Sequence, residues 1–180
     1  MPQQSLARTA GLFYALNIVL GIVALMWSRQ GNIGAASLMT VVAALEYALV
    51  VVLLGCLFEP GGKGWSWSVA AIGLAACGLS ALGPLHVLEP IINPLALFGL
   101  YCIGVGAMIL RSRLLPGWSG ALLTLGGISW MTYLSHSLAL RLQPFNMAVG
   151  GSSELIFTLY LLIFGVRSAA HDVTSASVAA

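Results

Sequence analysis

An all-α bundle embedded in a membrane is the fold class this sequence predicts, and three observations predict it. Only 7% of the 180 residues are charged, against about a quarter in a typical soluble domain. The mean hydropathy is +0.99. The apolar residues also fall into six long runs, and a helix needs roughly 20 such residues to cross a hydrocarbon core about 30 Å thick. A closed β-barrel is the other backbone arrangement that satisfies its own hydrogen bonds in lipid. It is excluded because the runs lack the alternation of a barrel strand.

The first run, Ala10–Trp27, follows Arg8 but is longer than a leader's apolar core and has no A-x-A exit. It reads as a span. The second, Ala35–Leu57, has Glu46 as its single charge. Trp65–Leu82 and Pro90–Leu110 are the third and fourth, Gly117–Leu140 the fifth, and Ser152–Val166 the sixth, which extends to 150–167 if its glycines lie in the interface. The breaks SRQGNIG, EPGGKG, GPLHVLEP, RSRLLPGW and RLQPFNMAVGG all contain Gly or Pro, which interrupt helices. None can hold a soluble domain. The expectation is one transmembrane domain over 1–170 and a disordered tail over 171–180, HDVTSASVAA, which is small and polar.

With both termini on one side, that side collects Arg8, Lys63, Arg111, Arg113 and Arg167, and the other only Arg29 and Arg141. The excess of basic residues predicts cytoplasmic termini and a multi-pass protein of the inner (cytoplasmic) membrane. Trp27, Trp65, Trp67 and Trp118 sit at span ends, where an aromatic belt belongs. Seven scattered basic residues make no patch for nucleic acid. Cys56, Cys77 and Cys102 lie singly in apolar runs and read as small buried hydrophobes. Phosphate-binding glycine loops, the G-x-S-x-G elbow and H-E-x-x-H are all missing, so no cofactor is expected. His86 and Glu89, as HxxE between Pro84 and Pro90, make at most half a metal site, and no metal is expected.

The residues that invite a function are polar groups at membrane depth. Glu46 is the foremost, because a charge at the bilayer centre costs roughly 3 kcal/mol on insertion scales. It must be neutralised, paired or used. Tyr47 points about 100° away and reads as packing. Ser129, Thr132 and His136 share a face of the fifth span with Tyr133 beside them, and Tyr14, Asn17 and Gly21 share a face of the first. Such faces turn inward and join helices, and a histidine there can also shuttle protons. Glu154 follows Gly150–Ser153 and is expected in the first turn of the sixth span, favoured by the helix dipole and capped by Ser152 or Ser153. Gly73, Gly78, Gly99, Gly104, Gly106, Gly126 and Gly127 fall within spans and suggest close helix approach.

Three stretches resemble a bacterial membrane family known as domain of unknown function 4386. They are Arg8–Tyr14 (RTAGLFY); Arg111–Gly120 (RSRLLPGWSG) with Gly126, Gly127 and Tyr133; and Glu154 with Leu161–Val166 (LLIFGV). The resemblance implies a six-span fold and carries no catalytic residues with it.

Two functions from different classes remain open on the sequence. One is an embedded enzyme acting on a lipophilic, isoprenoid-like chain by acid catalysis. Its acid and proton-handling candidates are Glu46, His136 and Glu154. Its substrate-binding candidates are Tyr14, Asn17, Trp130 and Tyr133, with Tyr160 as a further aromatic face. The other is a non-enzymatic transporter subunit or accessory protein, in which Glu46 carries a proton or fixes packing. Membrane lipid, a lipophilic small molecule and a second copy of the chain are the expected partners. A homodimer would supply the spans that a secondary transporter usually has.

Overall fold

The computed structural model describes residues 3–85 and 92–166. His86, Glu89, Arg167 and the expected tail lie outside the described residues. The described residues form seven α-helices: α1 (Gln3–Arg29), α2 (Ile33–Phe58), α3 (Lys63–Leu82), α4 (Pro94–Ser112), α5 (Gly117–Met131), α6 (His136–Leu142) and α7 (Phe145–Ile163). Among the described residues no strand occurs.

Most boundaries have simple local causes. Gly31, at a φ of 79°, turns the chain after α1. Asn32 then caps α2 by accepting from the Ala35 amide. Pro60 and Gly62, the latter at a φ of 143°, separate α2 from α3. The fourth helix starts later than the run from Pro90 suggested: Asn93 caps it by accepting from the Leu95 amide at 3.0 Å, with Pro94 in its first turn. Proline is suited to that place because its missing N–H would be unpaired there anyway.

Six helices form a closed ring in the order α1, α2, α3, α4, α5, α7, with α7 returning to α1. Their outward faces are apolar: Leu38, Leu45 and Leu125 are 60%, 64% and 55% exposed. Five of the helices, α1, α2, α3, α4 and α7, are long and apolar enough to cross a membrane. The protein is membrane-embedded.

The expected fifth span, Gly117–Leu140, is not one helix. It is α5, a 3-10 turn at Thr132–Leu134, an extended Ser135 (φ −118°, ψ 115°) and then α6. At about 1.5 Å per residue, the 15 residues of α5 fall short of a hydrocarbon core. The break has a polar lining. Thr132 Oγ1 donates to the Ser129 carbonyl at 2.7 Å, and Ser129 Oγ to the Asn146 carbonyl at 2.7 Å. Asn146 Nδ2 in turn reaches Thr132 Oγ1 at 3.2 Å and the Ala139 carbonyl at 3.1 Å. Asn146 is buried, so one amide ties α5, α6 and the start of α7 together. The sixth apolar run is longer than expected in the other direction, because α7 begins at Phe145.

The α4–α5 pair is the most closely apposed seam. A Cβ on Gly99 would stand 2.6 Å from the Gly127 carbonyl oxygen, and one on Gly120 2.8 Å from that of Gly106. Helices this close gain dispersion and weak C–H···O contacts along their backbones. Gly78 does not share this role, for a Cβ there would meet nothing within 4 Å. Replacing Gly127 by Leu should therefore abolish recovery of folded protein, while Gly78→Leu should give a normal yield; size-exclusion profiles of the two in mild detergent decide it. Replacing Asn146 by Ala should lower stability by about 1–3 kcal/mol, the usual loss when buried polar partners are stranded, seen as a lower midpoint in a detergent thermal melt.

Candidate functional site

Ring closure between α1 and α7 is tight at one end only. Near the start of α1, a Cβ on Gly11 would stand 2.7 Å from the Leu162 backbone nitrogen. The Gln4 side chain also pairs across the same end, donating to the Phe164 carbonyl at 2.8 Å and accepting from the Val166 amide at 2.9 Å. Ten residues along α1, nothing lies within 4 Å of a Cβ on Gly21. A cavity of about 390 Å³ occupies the space so opened, walled by Gly21, Leu25, Ala43, Leu95, Phe98 and Met147. It shares Gly21, Leu25, Thr40 and Ala43 with a second cavity of about 610 Å³ that reaches Ser28, Ile33 and Pro84. The two make one cleft, running from the middle of the bundle to the end away from Arg8. Its α1 wall is open: Ile22 and Leu25 are 54% and 43% exposed.

The deep end of this apolar cleft is polar. Glu154, Tyr47, Trp130 and Asn17 all line it. Trp130 Nε1 donates to Glu154 Oε1 at 2.6 Å. Tyr14 donates to Glu154 Oε2 at 3.0 Å, and Tyr47 to the Tyr14 hydroxyl at 2.8 Å. The carboxyl on α7 is thus held from α5 and α1, with a second phenol from α2 behind the first. Edge-to-face contacts fix the rings: Tyr14 on Tyr47 at 5.1 Å between centroids, Tyr47 on Phe98 at 5.1 Å, and Tyr14 on Phe157 at 6.2 Å. Gly150 sets the indole: a Cβ there would run into the Trp130 six-membered ring. Gly150 and Glu154 lie one turn apart on α7, so the same face that admits the indole presents the carboxyl to it.

The structure brings together Tyr14, Trp130 and Glu154 of the residues singled out from sequence, with Asn17 in the same cleft. Asn17 is held by its Nδ2, which donates to the Ala43 carbonyl at 2.8 Å. Three expectations need correction. Glu154 is not in the first turn of a helix, because α7 starts earlier; it lies in mid-helix, where neither the dipole nor a serine cap reaches it. Ser153 Oγ instead donates to the Gly150 carbonyl at 2.7 Å. His136 does not share a face with Ser129 and Thr132: the extended Ser135 breaks the register, and His136 begins α6 as an exposed residue. Tyr47 is not merely packing but the outer member of the hydroxyl chain.

Tyr133 lies beside the site, its ring 5.9 Å from that of Trp130, with its hydroxyl accepting from Gln143 Nε2 at 3.4 Å. Tyr160 packs against Trp118 at 5.5 Å, away from the cleft. Glu46 is buried at 8% exposure beside Asn17, and neither carboxyl oxygen has a hydrogen-bond partner. It is not among the residues lining the cleft. Among the described residues no cluster of His, Cys, Asp and Glu could hold a metal.

Tyr14→Phe should strand both the Tyr47 hydroxyl and Glu154 Oε2. The expected cost is about 1–3 kcal/mol, and the same change made on a Glu154→Gln background should cost less. A double-mutant cycle on detergent melts reads that coupling; strict additivity would mean that the hydrogen-bonded chain is not formed.

Residues 91–165 match the family described as domain of unknown function (DUF4386). The matched region contains α4 to α7, and with them Trp130, Asn146, Gly150 and Glu154; Tyr14, Asn17 and Tyr47 lie outside it. Of the three stretches with family resemblance, it takes in the second, and the third as far as Gly165. No curated protein and no solved structure matches the chain.

Proposed function

We propose that this membrane protein takes a lipophilic small molecule into the cleft and holds its polar end at Glu154. The observation that carries the reading is the pairing of an apolar cleft, open along α1 and at the end away from Arg8, with a single hydrogen-bonded carboxyl at its deep end. Concave apolar sites with a few convergent polar groups are the usual form of a small-molecule site. The exposed Ile22 and Leu25 in the wall favour entry from the lipid rather than from water. With the N-terminus cytoplasmic, as the basic residues suggest, the open end faces the outer side of an inner membrane.

Conversion of the bound molecule by acid catalysis is the second reading, and the hydroxyl chain favours it. Tyr47, Tyr14 and Glu154 are linked oxygen to oxygen, so a proton could pass along them to a group in the cleft. In that case the acid is Glu154, not Glu46, which does not border the cleft. A transporter or accessory role needs the same cleft without a chemical step.

The test is to purify the protein in mild detergent and identify what co-purifies by mass spectrometry of its organic extract. Gly21→Leu would fill the cleft without a clash at its Cβ. A lipophilic compound retained by the wild type and lost, by tenfold or more, from a normally folded Gly21→Leu variant is the expected outcome. Equal retention by both would remove the cleft as the binding site.

A further inference from the structure

We infer that the cleft selects lipophilic cations, such as hydrophobic amines and quaternary onium compounds, over neutral or anionic molecules of the same shape. The inference rests on the cleft reading above and specifies its ligand. It follows from which polar groups line the cleft and which do not. Among the described residues, no Lys, Arg or His lines it, and Glu154 is its one carboxyl. An anionic head group such as a phosphate would find no positive charge there.

The donors already present also restrict the head group. Trp130 Nε1 can only donate, so Glu154 Oε1, 2.6 Å away, is an acceptor. Oε2 accepts from Tyr14, whose own oxygen accepts from Tyr47. Thr40 Oγ1 donates to the Ala36 carbonyl at 2.9 Å and one Asn17 N–H to that of Ala43, which leaves the second Asn17 N–H and the Ser80 hydroxyl as the small neutral donors of the lining. The lone pairs that remain on Glu154, and the Asn17 amide oxygen, are acceptors. A guest with a positive end finds acceptors there and no fixed positive charge among the described residues.

Aromatic faces reinforce this. Tyr47, Phe98 and Trp130 line the cleft around the carboxyl, and a cation near such rings is attracted by their quadrupoles, more so when desolvated. An onium guest would bring the countercharge that a carboxyl lacks in an apolar cleft, and the resulting pair interacts more strongly there than in water. An anion of equal size gains no such countercharge.

Three probes of common shape isolate charge: tetraphenylphosphonium, neutral tetraphenylmethane and tetraphenylborate. Each is measured by equilibrium dialysis against the full-length protein in mild detergent, with protein-free micelles subtracted. The expected result is at least tenfold tighter binding of the phosphonium than of the other two. In Glu154→Gln that preference should collapse to less than threefold, with Glu59→Gln, a surface change, leaving it intact. The wild-type comparison holds whether or not Glu154→Gln folds. Equal binding of all three, or preference for the borate, would overturn the cation inference and leave the cleft reading standing. Binding of none above the micelle control would overturn both.

Discussion

A carboxyl group inside an apolar bundle is stabilised by hydrogen-bond donors, and at Glu154 those donors tie the helices together. Its two oxygens take an indole N–H from α5 and a phenol from α1, and the phenol in turn takes one from α2. Four helices therefore converge on one side chain. Polar contacts in lipid contribute about 0.6–2 kcal/mol each, modest singly. Here they also choose which faces of α1, α2 and α5 turn inward, and so set the ring of helices around the core formed by Tyr14, Tyr47, Tyr101 and Phe157.

Two further constraints shape what that carboxyl faces. Gly11 and Gln4 draw α1 onto α7 at the end where the chain begins, and nothing draws the helices together beyond Gly21. The result is a wedge. Its narrow part holds the hydroxyl chain and its wide part is the cleft. Elsewhere in the ring, the glycine seam between α4 and α5 keeps those helices close, and the break after α5 lets Asn146 start α7 early. That early start places Glu154 at mid-depth rather than at a helix end.

The two carboxyls inside the bundle are not equivalent. Glu154 has both oxygens satisfied and borders the cleft; Glu46 is buried with neither satisfied and does not. Of the two, Glu154 is the one that a molecule in the cleft would meet. Local sequence made Glu46 the more conspicuous of the two, as a lone charge in a long apolar run, whereas the serines and glycines before Glu154 resembled a helix start.

Composition and run length by themselves determined that this chain is helical and membrane-embedded, because lipid leaves a backbone few other options. They also located α2 and α3 to within a few residues, since Gly31, Pro60 and Gly62 act locally, whereas α1 starts seven residues before the run Ala10–Trp27 and α4 at Pro94 rather than Pro90. Helical spacing put Tyr14 and Asn17 on one face, which is a property of the helix alone. What tertiary structure decided was anything that required two helices. The break at Ser135 depends on Asn146, a residue that looked like part of a loop; the role of Tyr47 depends on a hydroxyl 33 positions earlier in the chain; and Glu154 meets Tyr14 across 140 positions. Hydrophobic pattern records which groups leave water, but in a bilayer most groups leave water, so the pattern carries little about which helix faces meet. That information resides in close packing at Gly11, Gly127 and Gly150 and in the directional demands of a few buried hydrogen-bonding groups.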